Sequence, residues 1–400
     1  MLVFADRLNG VEEAATTAMA EKARQLRASG IPVIGLAMGE PDFATPDHVI
    51  AAAHAAALSG DTKYPPVSGT PALKAAVQRK FRRDNRLDYA LDEIMIANGG
   101  KQVIFDALMA TCNPGDEVVI PIPAWVAYAD MVKFAGAMPV FVSCPENNGF
   151  RLQADALEAA ITPRTKWVFL NFPNNPSGAA CSFSDMQAIA AVMLRHRDVL
   201  ILTDDMYEHL IYDGFAFCTI AEVEPRLKDR TLTVNGVSKT YAMTGWRIGF
   251  CGGPAPLIKA MENVQGQSTN GVSTVGQAAA IAALDGPQDL LRERAAIYRE
   301  RRDLVVELLN QAPGVSCHKP EGAFYLFPNI ASCLGTVSEG GRRVATDIDF
   351  VAALLAEKHV AAVPGSAFGM SPHIRVSYAT DIASLREACA RIQAFCRGLH

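Results

Sequence analysis

The segment Thr231-Leu-Thr-Val-Asn-Gly-Val-Ser-Lys-Thr-Tyr-Ala-Met-Thr-Gly-Trp-Arg-Ile-Gly249 decides how the rest of the chain reads. Its first four residues are alternating and rich in β-branched side chains, as in a strand. Small residues then lead to a single lysine, Lys239, and Arg247 follows eight positions on, directly after Gly245 and Trp246. The ordinary reading of any lysine is a solvated surface residue. Lys239 departs from it through its neighbours: a strand of buried character before it, apolar residues after it, and no acid close behind. Poor solvation lowers an amine's pKa and makes it a better nucleophile.

The same strand-then-helix grammar extends in both directions. Strands are predicted at 93–98, 117–121, 138–143, 166–171, 199–203, 231–235 and 248–251. Helices fall between or after them at 99–110, 124–134, 153–161, 184–196 and 254–266. This alternation predicts an α/β fold with a mainly parallel seven-stranded sheet flanked by helices. Ahead of it lie an amphipathic helix over 12–28, a loop at Gly39-Glu-Pro-Asp-Phe43, a helix over 47–58, a Pro- and Gly-rich loop at 63–71 and a helix over 71–86. Beyond residue 285 the pattern changes to a long charged helix over 287–310. Short strands follow near 324–327, 361–363 and 374–377, with helices at 349–357 and 382–397. We read these as a smaller α+β domain, with helix 12–28 packed against it. The expected division is a large domain over 46–289 and a small discontinuous one from 1–45 and 290–400.

Composition narrows the function classes. The chain has 400 residues, half of them apolar, and a formal charge of −5; 400 residues exceed one ordinary core. Its basic runs, such as Arg82-Arg83 and Arg342-Arg343, are short and interleaved with acids, so no nucleic-acid footprint is expected. Nine scattered cysteines without a CxxC argue for reduced thiols in the cytoplasm and against a disulfide framework or zinc site. No metal site is expected. Glu12-Glu13 and Glu21-Lys22-Ala-Arg24 stand where a signal peptide needs an apolar core, and no apolar run has the length of a membrane span.

In a parallel sheet, ligands bind beyond the carboxyl ends of the strands. The polar residues at those ends are therefore the candidates. Gly99, Gly100 and Lys101 follow the first strand; glycine amides at a helix start can cradle a phosphate, though paired glycines also simply make tight turns. Trp125 follows the second; it could stack on a planar ring or serve as a core anchor. Asn171-Phe-Pro-Asn-Asn-Pro-Ser-Gly178 follows the fourth, where asparagines are also ordinary turn residues. Asp204, Asp205 and Tyr207 follow the fifth, and a buried carboxylate there needs a cationic partner. Lys239 and Arg247 follow the sixth. A phosphate, a planar ring with a basic nitrogen and an aldehyde would use this set together, as in pyridoxal 5'-phosphate (PLP).

These residues carry a resemblance. Gly39-Glu-Pro-Asp-Phe43, Lys63-Tyr-Pro-Pro-Val-Ser-Gly69, Gly99-Gly-Lys-Gln102, Asn174-Asn-Pro-Ser-Gly178, Asp204-Asp-Met-Tyr207, Gly236–Gly249, Gly322-Ala-Phe-Tyr325 and Arg375-Val-Ser-Tyr378 occur in the order of the class I, fold-type I PLP-dependent aminotransferases. The chain is similar to their bacterial aspartate aminotransferase-like branch over nearly its whole length. The resemblance implies that Lys239 is the Schiff-base lysine and proton-shift base, and that Asp204 partners the ring nitrogen. It implies that Tyr207 and Asn175 bond the ring's phenolic oxygen, and that Trp125 stacks on the ring. Arg247, Gly99, Gly100 and Ser238 would hold the phosphate, with Tyr64 reaching it from the partner subunit of a homodimer. Arg375 would bind the substrate α-carboxylate, assisted by Asn175 and Gly39. Phe324 would form a pocket wall, and Lys101 would meet a distal carboxylate.

Two positions depart from the family pattern. Asp205 stands where a glutamate is usual, and Ala14, after Glu13, stands where a serine often helps bind the distal carboxylate. The second departure weakens the aspartate preference and admits aromatic or neutral donors. The implied activity is ping-pong transamination between an amino acid and a 2-oxo acid, through PLP and its pyridoxamine form, with 2-oxoglutarate as acceptor. A PLP-dependent β-C–S lyase or cyclopropane-forming synthase would use the same residues. A ligand-sensing regulator would need an added DNA-binding module, for which the residues before Gly39 are too few.

Overall fold

The computed structural model describes residues 4–8 and 15–400. Its centre is a seven-stranded sheet built from β1 (Ile94–Ala97), β2 (Glu117–Ile122), β3 (Met138–Ser143), β4 (Thr165–Leu170), β5 (Leu200–Asp204), β6 (Thr231–Gly236) and β7 (Gly249–Gly252). The spatial order is β1-β7-β6-β5-β4-β2-β3. β7 runs antiparallel to both its neighbours, and the remaining pairs are parallel. The connection from β6 to β7, residues 237–248, holds only the 3-10 turn Thr244–Trp246 and no α-helix to carry the chain back for a parallel partner. The sheet is therefore mixed at one position, a refinement of the parallel expectation.

Strands covered on both faces should be largely apolar, and the stretches Ile94–Ala97, Val118–Ile122 and Trp167–Leu170 hold only apolar residues. Alternate residues enter opposite layers. Val118, Ile120, Trp167 and Phe169 pack with Val103, Leu108 and Tyr128 on one side, whereas Val119, Val168 and Leu170 pack with Leu157, Ile189 and Met193 on the other. The helices bearing these residues include α3 (Gly100–Thr111), which starts directly beyond the end of β1. Two helices ahead of the sheet are α1 (Ala15–Ala28) and α2 (Pro71–Asn85), with helix Asp47–Leu58 between them in the chain. Thr70 caps α2, its hydroxyl accepting from the Leu73 amide, and Pro71 occupies the first turn, where its missing donor costs nothing.

The Ala-rich stretch Thr274–Asp285, to which the sequence reading gives no element, is a helix (α4). Its apolar residues are spread around the axis, so it shows little of the one-sided pattern that marks a surface helix. Ala279, Ala280 and Ala283 are buried against Val49 and Ala53 of helix Asp47–Leu58.

After α5 (Asp289–Leu309) the chain builds a three-stranded antiparallel sheet from β8 (Tyr325–Leu326), β9 (Val363–Pro364) and β10 (Ile374–Ser377), with β10 in the middle. Helices α6 (Asp347–Lys358) and α7 (Ile382–Arg397) share one core with it and with α5. Helix α1 begins at Ala15, and residues 12–14 of the predicted helix 12–28 lie outside the described residues. Its Ala23 is buried with Val33, Ala361 and Val363, so α1 packs against this second set of elements. Among the described residues no helix is long and apolar enough to cross a membrane.

The core also holds buried polar residues, Asp106 among them. Asp106, on α3, is 0 % exposed and neither carboxyl oxygen has a hydrogen-bond partner. Burial pushes it up to about 7, so the fold favours its protonated form. An unfolded aspartate titrates near ~3.9, so stability is fully present below that pH and is lost as pH rises toward 7. Asp106→Asn removes this loss. Its melting temperature relative to the parent chain should climb between about pH 4 and about pH 7 and then level off. A difference that stays flat across that range contradicts a buried, unpaired carboxyl.

Candidate active site

A cavity of about 660 Å³ opens where the strands of the large sheet end. Its floor is lined by Gly100 and Lys101 beyond β1, Trp125 beyond β2, Asn171 and Asn175 beyond β4, Asp204 and Tyr207 at and beyond β5, and Ser238 and Lys239 beyond β6. Arg247 enters from the start of β7. The opposite wall comes from α1, from Ala37 to Gly39, and from Tyr325 and Arg375. Most of the predicted site residues thus meet at one place.

Lys239 is held at the cavity by a hydrogen bond from its ammonium to the Gly39 carbonyl, 2.5 Å long. Burial, with Arg375 and Arg247 nearby, lowers it to about 8, against the opposing pull of Glu40 and Asp204. Both acids lie far from Lys239 in the chain, and the fold brings them to it. An amine near 8 is partly unprotonated in neutral solution, unlike an ordinary lysine near ~10.4.

Asp204 ends β5. Its Oδ2 accepts from the Tyr128 hydroxyl at 2.6 Å, but its buried Oδ1 has no partner. Burial raises this carboxyl to about 6. An unsatisfied carboxylate oxygen in a cavity wall calls for a donor on the ligand, and a protonated ring nitrogen supplies one. Tyr128 was not anticipated; nothing in its own segment distinguishes it from a core tyrosine.

The phosphate candidates form a cradle. Gly99 has φ +89°, and a Cβ there would lie 2.4 Å from the Arg247 guanidinium. A Cβ on Gly249 would lie 2.3 Å from the Gly100 nitrogen. Both positions therefore need glycine. Arg247 donates to the Thr244 and Asn98 carbonyls, each at 3.0 Å, and no carboxylate pairs with it among the described residues. No side chain caps α3; the Gln102 amide donates to the Gly99 carbonyl, which leaves the Gly100 and Lys101 amides for an anion. The orphan Asp204 oxygen, the cradle and the lowered Lys239 amine fit PLP.

Arg375 lies on β10 and is 2 % exposed, again without a carboxylate among the described residues. It donates to Asn175 Oδ1 at 3.0 Å and to the Ala37 carbonyl, while its Nε has no partner. Its guanidinium lies over the Tyr325 and Phe368 rings, 4.6 and 5.0 Å from their centroids. Lys101, which is exposed, likewise has no carboxylate partner among the described residues; its ammonium sits 4.9 Å from the centre of the Trp125 ring. Desolvation lowers its pKa, with Arg247 adding to the effect.

Some residues are placed differently from expectation. Phe324 does not line the cavity: it is fully buried behind Tyr325, ring centroids 4.7 Å apart, and Tyr325 forms the wall instead. The Tyr325 hydroxyl lies 2.9 Å from that of Tyr207. A Cβ on Gly39 would meet the Tyr325 hydroxyl at 2.4 Å, so Gly39 makes room for it. Tyr64 is 93 % exposed and stands outside the cavity of its own chain. Ala14 lies outside the described residues. Thr16, Thr17 and Glu21 of α1 line the cavity without having been anticipated, because helix periodicity does not say what a helix faces.

With this geometry in hand, comparison with known proteins is specific. The family model for aminotransferase class I and II matches residues 31–392. An aspartate aminotransferase of Rhizobium meliloti (strain 1021) is 54% identical over 392 residues, 98% of this chain and 96% of that protein. An aspartate/prephenate aminotransferase of Cereibacter sphaeroides (strain ATCC 17029 / ATH 2.4.9) is 53% identical over 399 residues, 100% of both chains. The crystal structure of the aspartate aminotransferase from Rhizobium meliloti superposes with a TM-score of 0.97 at 53% identity, covering 100% of both chains. That of the Thermus thermophilus aspartate aminotransferase with maleate gives 0.91 at 39% identity, covering 99% of this chain and 100% of that one.

The lowered Lys239 amine is directly measurable. In cofactor-free protein, competitive labelling with an amine reagent, read by peptide mass spectrometry, should show Lys239 gaining reactivity through about pH 8. A midpoint near ~10, shared with the exposed lysines, contradicts the desolvation that the cavity imposes.

Proposed function

From the premise that this chain belongs to the class I and II aminotransferases and is a PLP-dependent amino-acid aminotransferase, we propose that its preferred donor is a dicarboxylic amino acid. The acceptor in this reading is 2-oxoglutarate. The observation that carries the proposal is that Arg375, buried, and Lys101, exposed, lie on different walls of one cavity and have no carboxylate partner among the described residues. Two such cations suit a ligand with two carboxylates. Arg375 takes the α-carboxylate as a two-pronged pair, with Asn175 fixing the guanidinium plane and Gly39 assisting. Lys101, backed by Trp125, takes the distal one. The maleate in the Thermus structure and the names of the relatives are in keeping with this class of substrate. The relatives are aminotransferases throughout, which leaves the lyase reading without support.

The bound cofactor supplies an aldehyde for the amino group and a ring that accepts the electron pair left at the substrate α-carbon. The chain's residues do the rest. In this reading Arg247, Gly99, Gly100 and Ser238 hold the phosphate, and Trp125 stacks on the ring. Asp204 Oδ1 keeps the ring nitrogen protonated. Tyr207 and Asn175 bond the phenolic oxygen. Lys239, once its amine is free, would take the α-proton and deliver it to the carbon that had been the cofactor's aldehyde. The wall that carries Arg375 and Tyr325 belongs to the smaller unit, residues 1–45 and 290–400. It closes over substrate against the larger unit, 46–289, and excludes water.

Tyr64 belongs to the same proposal. A tyrosine 93 % exposed on a loop with Pro65 and Pro66 is stiffly presented, and it reaches the phosphate of a second copy in a homodimer with active sites at the interface. Nine free cysteines, eight of them buried, suit a reducing cytoplasm.

Single-turnover conversion of the bound cofactor by each amino acid tests the substrate class. Aspartate and glutamate should react fastest. Lys101→Met should lower their kcat/KM by roughly tenfold or more, leaving phenylalanine nearly unchanged, while Arg375→Met should impair every donor. Equal losses for all donors on Lys101→Met contradict the distal-carboxylate role.

A further inference from the structure

Behind the cavity floor lies a buried charged cluster that the reaction as described does not use. Lys80 of α2 is 2 % exposed and its ammonium pairs with Glu208, itself 3 % exposed. The same ammonium donates to Asn85 Oδ1 at 2.6 Å, and Asn85 Nδ2 donates to Glu208 Oε2 at 2.6 Å. Asn235, near the end of β6, donates to Glu208 Oε1 at 2.8 Å and to the Asp205 carbonyl at 3.2 Å. His209 Nε2 lies 3.3 Å from both Glu208 and Asp84. Asp84 in turn pairs with Arg83 and lies 3.9 Å from Lys80. Although burial opposes it, Lys80 and His209 hold Glu208 ionised, and Glu208 and Asp84 raise His209 to about 9.

Asp84, Glu208 and His209 bring ligand atoms within 4.8 Å of one another, the spacing of a metal site. The Lys80 ammonium already stands there as the cation. A buried ion pair is a poor device for stability, because desolvating both charges offsets most of their attraction. What such a pair supplies is direction. Glu208 is four residues past Asp204 and next to Tyr207, and Asn235 is four residues before Lys239. The turn from Asp204 onward is further tied by the Glu208 amide to the Asp205 carbonyl, 3.1 Å, and by the Asp205 amide to the Val234 carbonyl, 2.9 Å. One carboxylate thus anchors the two strand ends that deliver Asp204, Tyr207 and Lys239 to the cavity.

We propose that Glu208, clamped by Lys80 and acting through Asn235, is a positioning residue that sets the placement of Asp204 and Lys239 against the cofactor. The proposal rests on the roles given above to Asp204 and Lys239. Supporting shells of this kind change affinity and chemistry without touching the ligand.

The test compares four variants as purified holoenzymes: Glu208→Gln, Asn235→Ala, Asp204→Asn and Glu117→Gln. Glu117 is also buried and paired, with Arg164 and Thr162, but at the opposite edge of the sheet, so its variant controls for lost stability alone. Three quantities are read: melting temperature, the affinity for re-added PLP, and the pH midpoint of the bound cofactor's visible absorbance. Glu208→Gln and Asn235→Ala should weaken PLP binding roughly tenfold and move the midpoint by about half a pH unit or more. Glu117→Gln should lower the melting temperature and move neither. Should Glu208→Gln not fold, Asn235→Ala, which keeps the ion pair, decides alone. Wild-type midpoint and affinity in these variants, with Asp204→Asn moving both, overturns the positioning role only. Wild-type values in Asp204→Asn as well overturn the ring-nitrogen role and the proposal with it.

Discussion

Every parallel strand ends at the same edge of its sheet, and the cavity floor exists because of that constraint. β1, β2, β4, β5 and β6 each end in residues that line or border it, although up to 140 positions separate Gly99 from Lys239 in the chain. The one antiparallel strand obeys the same geometry in reverse. β7 runs the other way, so its beginning lies where its neighbours end. Arg247, just before β7, is thereby delivered to Gly99 and the first turn of α3, and the short β6–β7 connection is what makes the delivery possible. Glycine at 99 and 249 then lets the guanidinium and the helix start approach to distances that any side chain would block.

The electrostatics of the cavity follow from what the fold leaves unpaired. Burying an arginine without a carboxylate, or a carboxylate oxygen without a donor, is unfavourable in a low-dielectric setting. Arg375 and Asp204 both carry that cost. A ligand that brings a carboxylate to one and a protonated ring nitrogen to the other recovers it. Lys239 experiences the same desolvation with the opposite consequence: its charged form is disfavoured, and a nucleophilic amine results. One degree of burial therefore serves substrate binding, cofactor binding and amine activation together.

The large sheet was legible because its strands are short apolar runs punctuated by glycine, proline and polar ends. The site was legible because a parallel sheet turns the question of which residues meet into a question of which residues follow strands. Legibility stopped where neither rule applies. Helix α4 has five alanines among its 12 residues and few polar ones, so no polar stripe reveals its period. Phe324 and Tyr325 are adjacent in a strand-like segment, where a single step exchanges wall for core. The Lys80–Glu208 pair joins residues more than a hundred positions apart, and neither segment marks the other. The orphan oxygen of Asp204 is a property of the packed core around it, and α1 faces the cavity only because its partners at Val33 and Val363 hold it there.

The central claim is that this cavity binds PLP with Lys239 at its aldehyde. Borohydride reduction of the holoenzyme, followed by proteolysis and mass mapping, asks the question at a single atom. The account predicts that the cofactor is fixed to the peptide containing Lys239, in near-stoichiometric yield. Fixation on Lys101 or on any other lysine, or no fixation in protein that retains the cofactor, contradicts it.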